Sequence, residues 1–200
     1  LKSSKKDIQN VILQWIEKNY RYNFKNWEID IVAKRIIAWI SNSKLTYEGG
    51  SQAYKKKFDN IIKKQTNHLI NEIVKSKWID DKMIGCAAII LIGISYQDKN
   101  NYLNFGLNLS KKIIKFSFDS DGFPKSRNIR QLNFYLKYFV LIREWLKESQ
   151  NEIPEYIDEN IYYLGQAYAF IWQNNKQYFM FNGNYESNNH EFDHYLKRLG

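Results

Sequence analysis

Proline occurs only twice in 200 residues, at Pro124 and Pro154, and both positions fall between stretches of helical periodicity. Proline removes a backbone N–H and clashes with the preceding turn, so a chain that keeps it out of its periodic segments can run in long uninterrupted helices. Apolar residues recur at helical spacing accordingly. Asp7 is a plausible N-cap for a first helix, with Ile8, Val11, Ile12, Trp15 and Ile16 on one face to about Tyr20. A second helix is predicted from Trp27 to Ser41, with Ile29, Val32, Ala33, Ile36, Ile37 and Ile40 inward. Asn42 to Gly50 reads as a loop, and a long third helix covers Ser51 to Lys77.

Asp80-Asp81 opens a fourth helix that is almost entirely apolar from Met83 to Ile94. A helix apolar on all sides is expected to be the most enclosed one. This run is also too short to span a bilayer, so no membrane span is expected. Asn100 or Asn101 starts a fifth helix ending near Phe118, a sixth spans Asn128 to Ser149, and Pro154 lies in the first turn of a seventh that reaches Trp172. Gln177 to Gly183 reads as a short extended segment closed by a turn, and residues 184–200 as a polar tail or linker. The fold class is therefore all-α. Hairpins recurring about every forty residues without a short sequence repeat can stack as an open array or close into a ring.

Two hundred residues with 44% hydrophobic content suffice for one domain with a core of its own. The single cysteine, Cys86, sits in an apolar stretch and reads as a small core residue. The formal charge of +9 favours anionic partners: nucleic acid, anionic lipid or acidic polysaccharide. Lysine outnumbers arginine 24 to 6, which disfavours arginine-fork reading of DNA bases, and nucleic acid is not the expected partner. No signal peptide is visible in Leu1-Lys2-Ser3-Ser4-Lys5-Lys6.

Several polar groups could carry chemistry. Asn67 and His68 are adjacent on the third helix and point about 100° apart, so both reach one cleft only if it runs along the edge of the apolar face. An asparagine amide can bind a carboxylate, and histidine can move a proton near neutral pH. In the turn Asp121-Gly122-Phe123-Pro124-Lys125-Ser126-Arg127-Asn128 and just after it, Arg127 and Arg130 stand at a helix start, where the dipole does not favour a cation, which suggests an anion to hold. Tyr135 and Tyr138 follow on the sixth helix, and a phenol can shuttle a proton. The bland readings are a surface amide, a packed histidine, a solvated basic face and tyrosines at a helix interface.

Asp119-Ser120-Asp121-Gly122 opens like a calcium loop, but Arg130 stands where the bidentate glutamate belongs, so it reads as a turn. His190-Glu191-Phe192-Asp193-His194 matches H-E-x-x-H formally, yet no third ligand follows, and neither metal nor cofactor is expected. The tryptophans mostly fall at core-facing spacing.

The ordered set Arg35-Ile36-Ile37-Ala38-Trp39-Ile40, Thr66-Asn67-His68-Leu69-Ile70-Asn71-Glu72, Asp121-Gly122 with Ser126-Arg127-Asn128, and Phe181-Asn182-Gly183 resembles the helical N-terminal domain of heparinase II/III-like polysaccharide lyases. The resemblance covers Trp27 to Gly183. It implies an incomplete (α/α) toroid over residues 1–183, normally followed by a C-terminal β-sandwich domain as its partner, and a periplasmic setting. It also implies β-elimination on uronate-containing anionic polysaccharide. In that scheme Asn67 neutralises the uronate carboxylate while the C5 proton is removed and the O4-linked sugar leaves, and His68 assists at the same subsite. Arg127 lines the cleft; with Asn128 and Arg130 it makes up the expected substrate-binding set. Gln131 stands where family members often carry a tyrosine, which leaves Tyr135, one turn further, as the catalytic phenol. The family also takes a histidine from the β-sandwich. The rival expectations are a glycan-binding toroid without turnover and a basic helical array that binds RNA or protein.

Overall fold

The computed structural model describes residues 4–96, 101–171 and 197. The fold is all-α, with helices packed antiparallel. Among the described residues there are eight α-helices and no strand beyond a single bridge between Phe118 and Pro124. They are α1 (Lys5–Asn19), α2 (Ile29–Ser41), α3 (Ser43–Thr46), α4 (Gln52–Ile73), α5 (Ile79–Ser95), α6 (Tyr102–Ser117), α7 (Ile129–Glu148) and α8 (Glu155–Ile171). The chain forms two compact units, Leu1–Leu103 and Asn104–Gly200, with the boundary in the first turn of α6. The extended segment expected at 177–183, the tail at 184–200 and His190 to His194 lie outside the described residues, apart from residue 197.

Helix starts follow local capping chemistry. Ser4, not Asp7, is the N-cap of α1: its hydroxyl accepts from the Asp7 amide at 3.2 Å and the Asp7 carboxylate accepts from the Ser4 amide at 2.9 Å. The reciprocal pair is a capping box, with Asp7 at its third helical position. Ser51 caps α4 by accepting from the Tyr54 amide. The segment read as a loop at 42–50 contains the single turn α3, where the Thr46 hydroxyl donates to the Trp39 carbonyl at 2.6 Å.

In the first unit α5 is the enclosed helix that its composition predicts. Every residue from Met83 to Gly93 is buried, Cys86 among them, and α2 packs on α5 more extensively than any other pair. Close approach is made possible by two glycines. A Cβ on Gly85 would collide with Ile73 of α4, and one on Gly93 would meet the Leu103 Cα at 2.7 Å. The α4 contribution to this core is Phe58, Ile61, Ile62, Leu69 and Ile73. Along the opposite side of α4 the exposed residues are Lys56, Asn60, Lys63, Asn67 and Asn71, a polar stripe that repeats every three to four positions.

In the second unit α7 packs on α8. Between α6 and α7 the polar turn is built around Asp119. Its carboxylate accepts from the backbone amides of Asp121 (3.1 Å) and Phe123 (2.9 Å) and pairs with the Arg127 guanidinium. Gly122 adopts φ +73°, and a Cβ there would collide with Tyr163 of α8, so the position needs glycine for both conformation and space.

Candidate functional site

Asn67 lies on the exposed stripe of α4, one helical turn beyond Lys63. Its Oδ1 accepts a hydrogen bond from the Tyr102 hydroxyl at 2.9 Å. Tyr102 is the first residue of α6, belongs to the same compact unit, and is largely buried. Because a phenol anchors the carbonyl side of the amide, the two Nδ2 protons are left for an incoming acceptor. A neighbouring helix thus positions an exposed donor on a polar stripe that also carries Lys56 and Lys63.

His68 points elsewhere. Its Nε2 sits 2.8 Å from the Trp27 carbonyl, which can only accept, so Nε2 carries a proton and Nδ1 is the atom with a lone pair in the neutral ring. The imidazole stands edge-on to Trp27 at 5.2 Å between ring centroids and lies 5.5 Å from Tyr22. It lines a groove of about 910 Å³ shared with Glu28, Asp30, Glu72 and Asp81. Four carboxylates against Lys75 and Lys77 make this groove unfavourable for a sugar acid. Asn67 does not line it. The 100° offset between helical neighbours therefore sends the two residues to different surroundings.

The remaining predicted site residues belong to the second unit. Arg127 adopts φ +56°, uncommon for a side-chain-bearing residue, at the end of a turn whose Arg127 amide donates to the Pro124 carbonyl at 2.8 Å. Its guanidinium pairs with Asp119 and lies 5.5 Å from the Phe123 ring, so the chain itself supplies an anion for it. Asn128 is the N-cap of α7, its Oδ1 accepting from the Gln131 amide at 3.3 Å. Arg130 is exposed on the first turn of α7. Tyr135 has no exposed surface and packs edge-on against Phe118 at 4.9 Å, with Phe139 nearby. Asn67 and His68 thus fall in one unit, and Arg127, Asn128, Arg130 and Tyr135 in the other.

Two features went unread in the sequence. Tyr102, which orients Asn67, follows the Asn100-Asn101 helix start and gave no signal of a partner thirty-five residues earlier. The other is Asp59, which receives the hydroxyls of both Tyr47 (3.1 Å) and Tyr96 (3.0 Å). Burial first, and then the facing carboxylate, push both phenols up, so they act as hydrogen-bond donors and not as bases.

Arg35, within the first stretch of the resemblance, is a structural cation. It donates to Gln65 Oε1 and to the Asn26 carbonyl, each at 2.8 Å, and its guanidinium lies 4.0 Å over the Trp15 ring. Burial lowers its pKa to about 10.

Among the described residues no group of three or more His, Cys, Asp or Glu side chains could hold a metal ion, and no helix is long and apolar enough to cross a membrane. No protein-family model, curated protein or solved structure matches the chain.

Proposed function

We propose that this chain is the helical part of a polysaccharide lyase, an incomplete (α/α) toroid that binds a uronate-containing anionic polysaccharide through Asn67. The observation that carries the reading is the Tyr102-oriented amide of Asn67, exposed on a stripe with Lys63. An Nδ2 donor and a nearby ammonium suit a carboxylate, and an amide donor can hold the extra charge that builds on that carboxylate when its α-carbon loses a proton. The net charge of +9 favours the encounter.

A second reading, glycan binding without turnover, is favoured by where the other candidates lie. His68 serves an acidic groove, Arg127 is paired with Asp119, and Tyr135 is buried. Both readings are tested by incubating the protein with heparan sulfate, alginate and related uronic acid polymers. Ultraviolet absorbance is followed for unsaturated uronate ends, and binding is followed separately. The lyase reading expects absorbance that Asn67→Ala abolishes. Binding that is lost in Asn67→Ala but gives no absorbance supports the second reading. Binding untouched by Asn67→Ala, or absent across the panel, overturns both.

A further inference from the structure

The groove beside His68 has no place in that scheme, and its chemistry is the opposite of a sugar-acid site. Three aromatic side chains at its wall are unusually bare: Trp78 is 75% exposed, Phe24 72% and Tyr22 63%. Large aromatics left in solvent around one concavity are the residue types that anchor protein interfaces. They come from different elements. Tyr22 and Phe24 lie on the α1–α2 connection, whose 3-10 turn spans Phe24–Asn26, and Trp78 is the N-cap of α5.

Charge selects the occupant. Glu28, Asp30, Glu72 and Asp81 line the same groove against Lys75 and Lys77, an acidic excess in a chain of net charge +9. Asp30 is answered by Lys34 and Glu72 by Lys75, each at 2.8 Å. Glu28 and Asp81 make no ion pair among the described residues. Burial first, and then Asp30, Asp80 and Glu28, raise the Asp81 carboxyl, with Lys34 offsetting them only in part. A ligand that combines a planar cation with extended reach satisfies both walls. A guanidinium stacks on tryptophan and forks onto a carboxylate, whereas an ammonium does the second less well. The open groove, about 910 Å³, has room for several side chains of an extended segment.

We propose that this groove binds an arginine-bearing basic peptide segment of a partner protein, with Trp78 and Tyr22 stacking on guanidinium groups and Glu28 and Asp81 accepting their hydrogen bonds. This site is separate from the Asn67 face, so its fate is independent of the glycan reading.

The test is a titration of the whole protein with a fluorescein-labelled peptide of alternating arginine and glycine, read by anisotropy. Matched peptides carry citrulline or lysine in place of arginine. Saturable binding is expected, weakened roughly tenfold by Trp78→Ala as for an interface anchor. Glu28→Gln and Asp81→Asn should each weaken it several-fold and flatten its salt dependence, while Lys63→Gln on the glycan face leaves it unchanged. Trp78 is exposed, so its variant should keep the wild-type helical circular dichroism, which is checked in parallel. Equal affinity for the citrulline peptide, or an unchanged affinity in the Trp78→Ala/Asp81→Asn double variant, overturns the proposal. So does free arginine amide binding as tightly as the peptide, which would make the groove a small-cation site.

Discussion

The Tyr102 hydroxyl donates to Asn67 Oδ1 at 2.9 Å across two helices, and this contact fixes which face of the amide meets solvent. Tyr102→Phe keeps the ring and removes the donor, so the amide can rotate. Binding of a uronate polymer, followed by calorimetry at fixed ionic strength, should weaken about three- to tenfold, the worth of one net hydrogen bond. Asn67→Asp should be worse than Asn67→Ala, because it sets a carboxylate against a carboxylate.

Glycines inside helices have opposite expected responses according to what surrounds them. Gly93 faces the Leu103 backbone, and an added Cβ has nowhere to go. Gly93→Ala should destabilise by ~1–3 kcal/mol through overpacking. Gly165 in α8 has nothing within 4 Å of where its Cβ would be. Gly165→Ala should therefore stabilise by up to ~1 kcal/mol, the helix-propensity gain alone. Urea unfolding followed by circular dichroism checks both signs.

Much of the fold was legible because α-helices announce themselves through periodicity that local sequence carries. The burial of α5 followed from its composition, and the starts of α4 and α7 fall beside Ser51 and Asn128 as expected, although α4 ends at Ile73 and not at Lys77. The α1 start was read three residues late, since Ser4 and Asp7 share the cap and either alone looks sufficient. α3 was missed because a single turn has no period to detect. The site was less legible. A helix wheel says that Asn67 and His68 diverge, but only tertiary structure says that one meets Tyr102 and the other Trp27. The Arg127 partner lies eight residues back in a turn whose geometry depends on Gly122.

The half-buried Arg35 and the buried Gln65 form a polar unit whose two members depend on each other. Gln65 is fully buried, its Oε1 is taken by Arg35, and its Nε2 has no hydrogen-bond partner among the described residues. Arg35→Ala strips the remaining partner and the stacking on Trp15, so a loss of ~2–4 kcal/mol is expected. In the Arg35→Met/Gln65→Leu pair both polar groups leave together, and much of that loss should return. A double-mutant cycle in urea measures the coupling, and independent, additive losses would refute the unit.

Two aspartates should pull the acid limb of stability in opposite directions. Burial alone would raise the Asp119 carboxyl, but the Phe123 amide and the Arg127 guanidinium outweigh it and hold the group below 3.8. The unfolded chain then binds the proton first, so the stability from this turn is present above 3.8 and is lost as pH falls through the folded value. Asp81 is raised above 3.8 by burial and then by Asp30, Asp80 and Glu28. Its contribution is favourable below 3.8 and disappears as pH rises through its folded value, which leaves a deficit at neutral pH. Asp119→Asn should lower the melting temperature at pH 7 by a few degrees, about the shift that ~1 kcal/mol produces in a domain of this size, and the difference from wild type should shrink below pH 3. Asp81→Asn should raise the melting temperature at pH 7 and have no effect at low pH, where the native carboxyl is already neutral. If both variants move the melting temperature the same way at neutral pH, the assignment of opposed carboxylates is wrong.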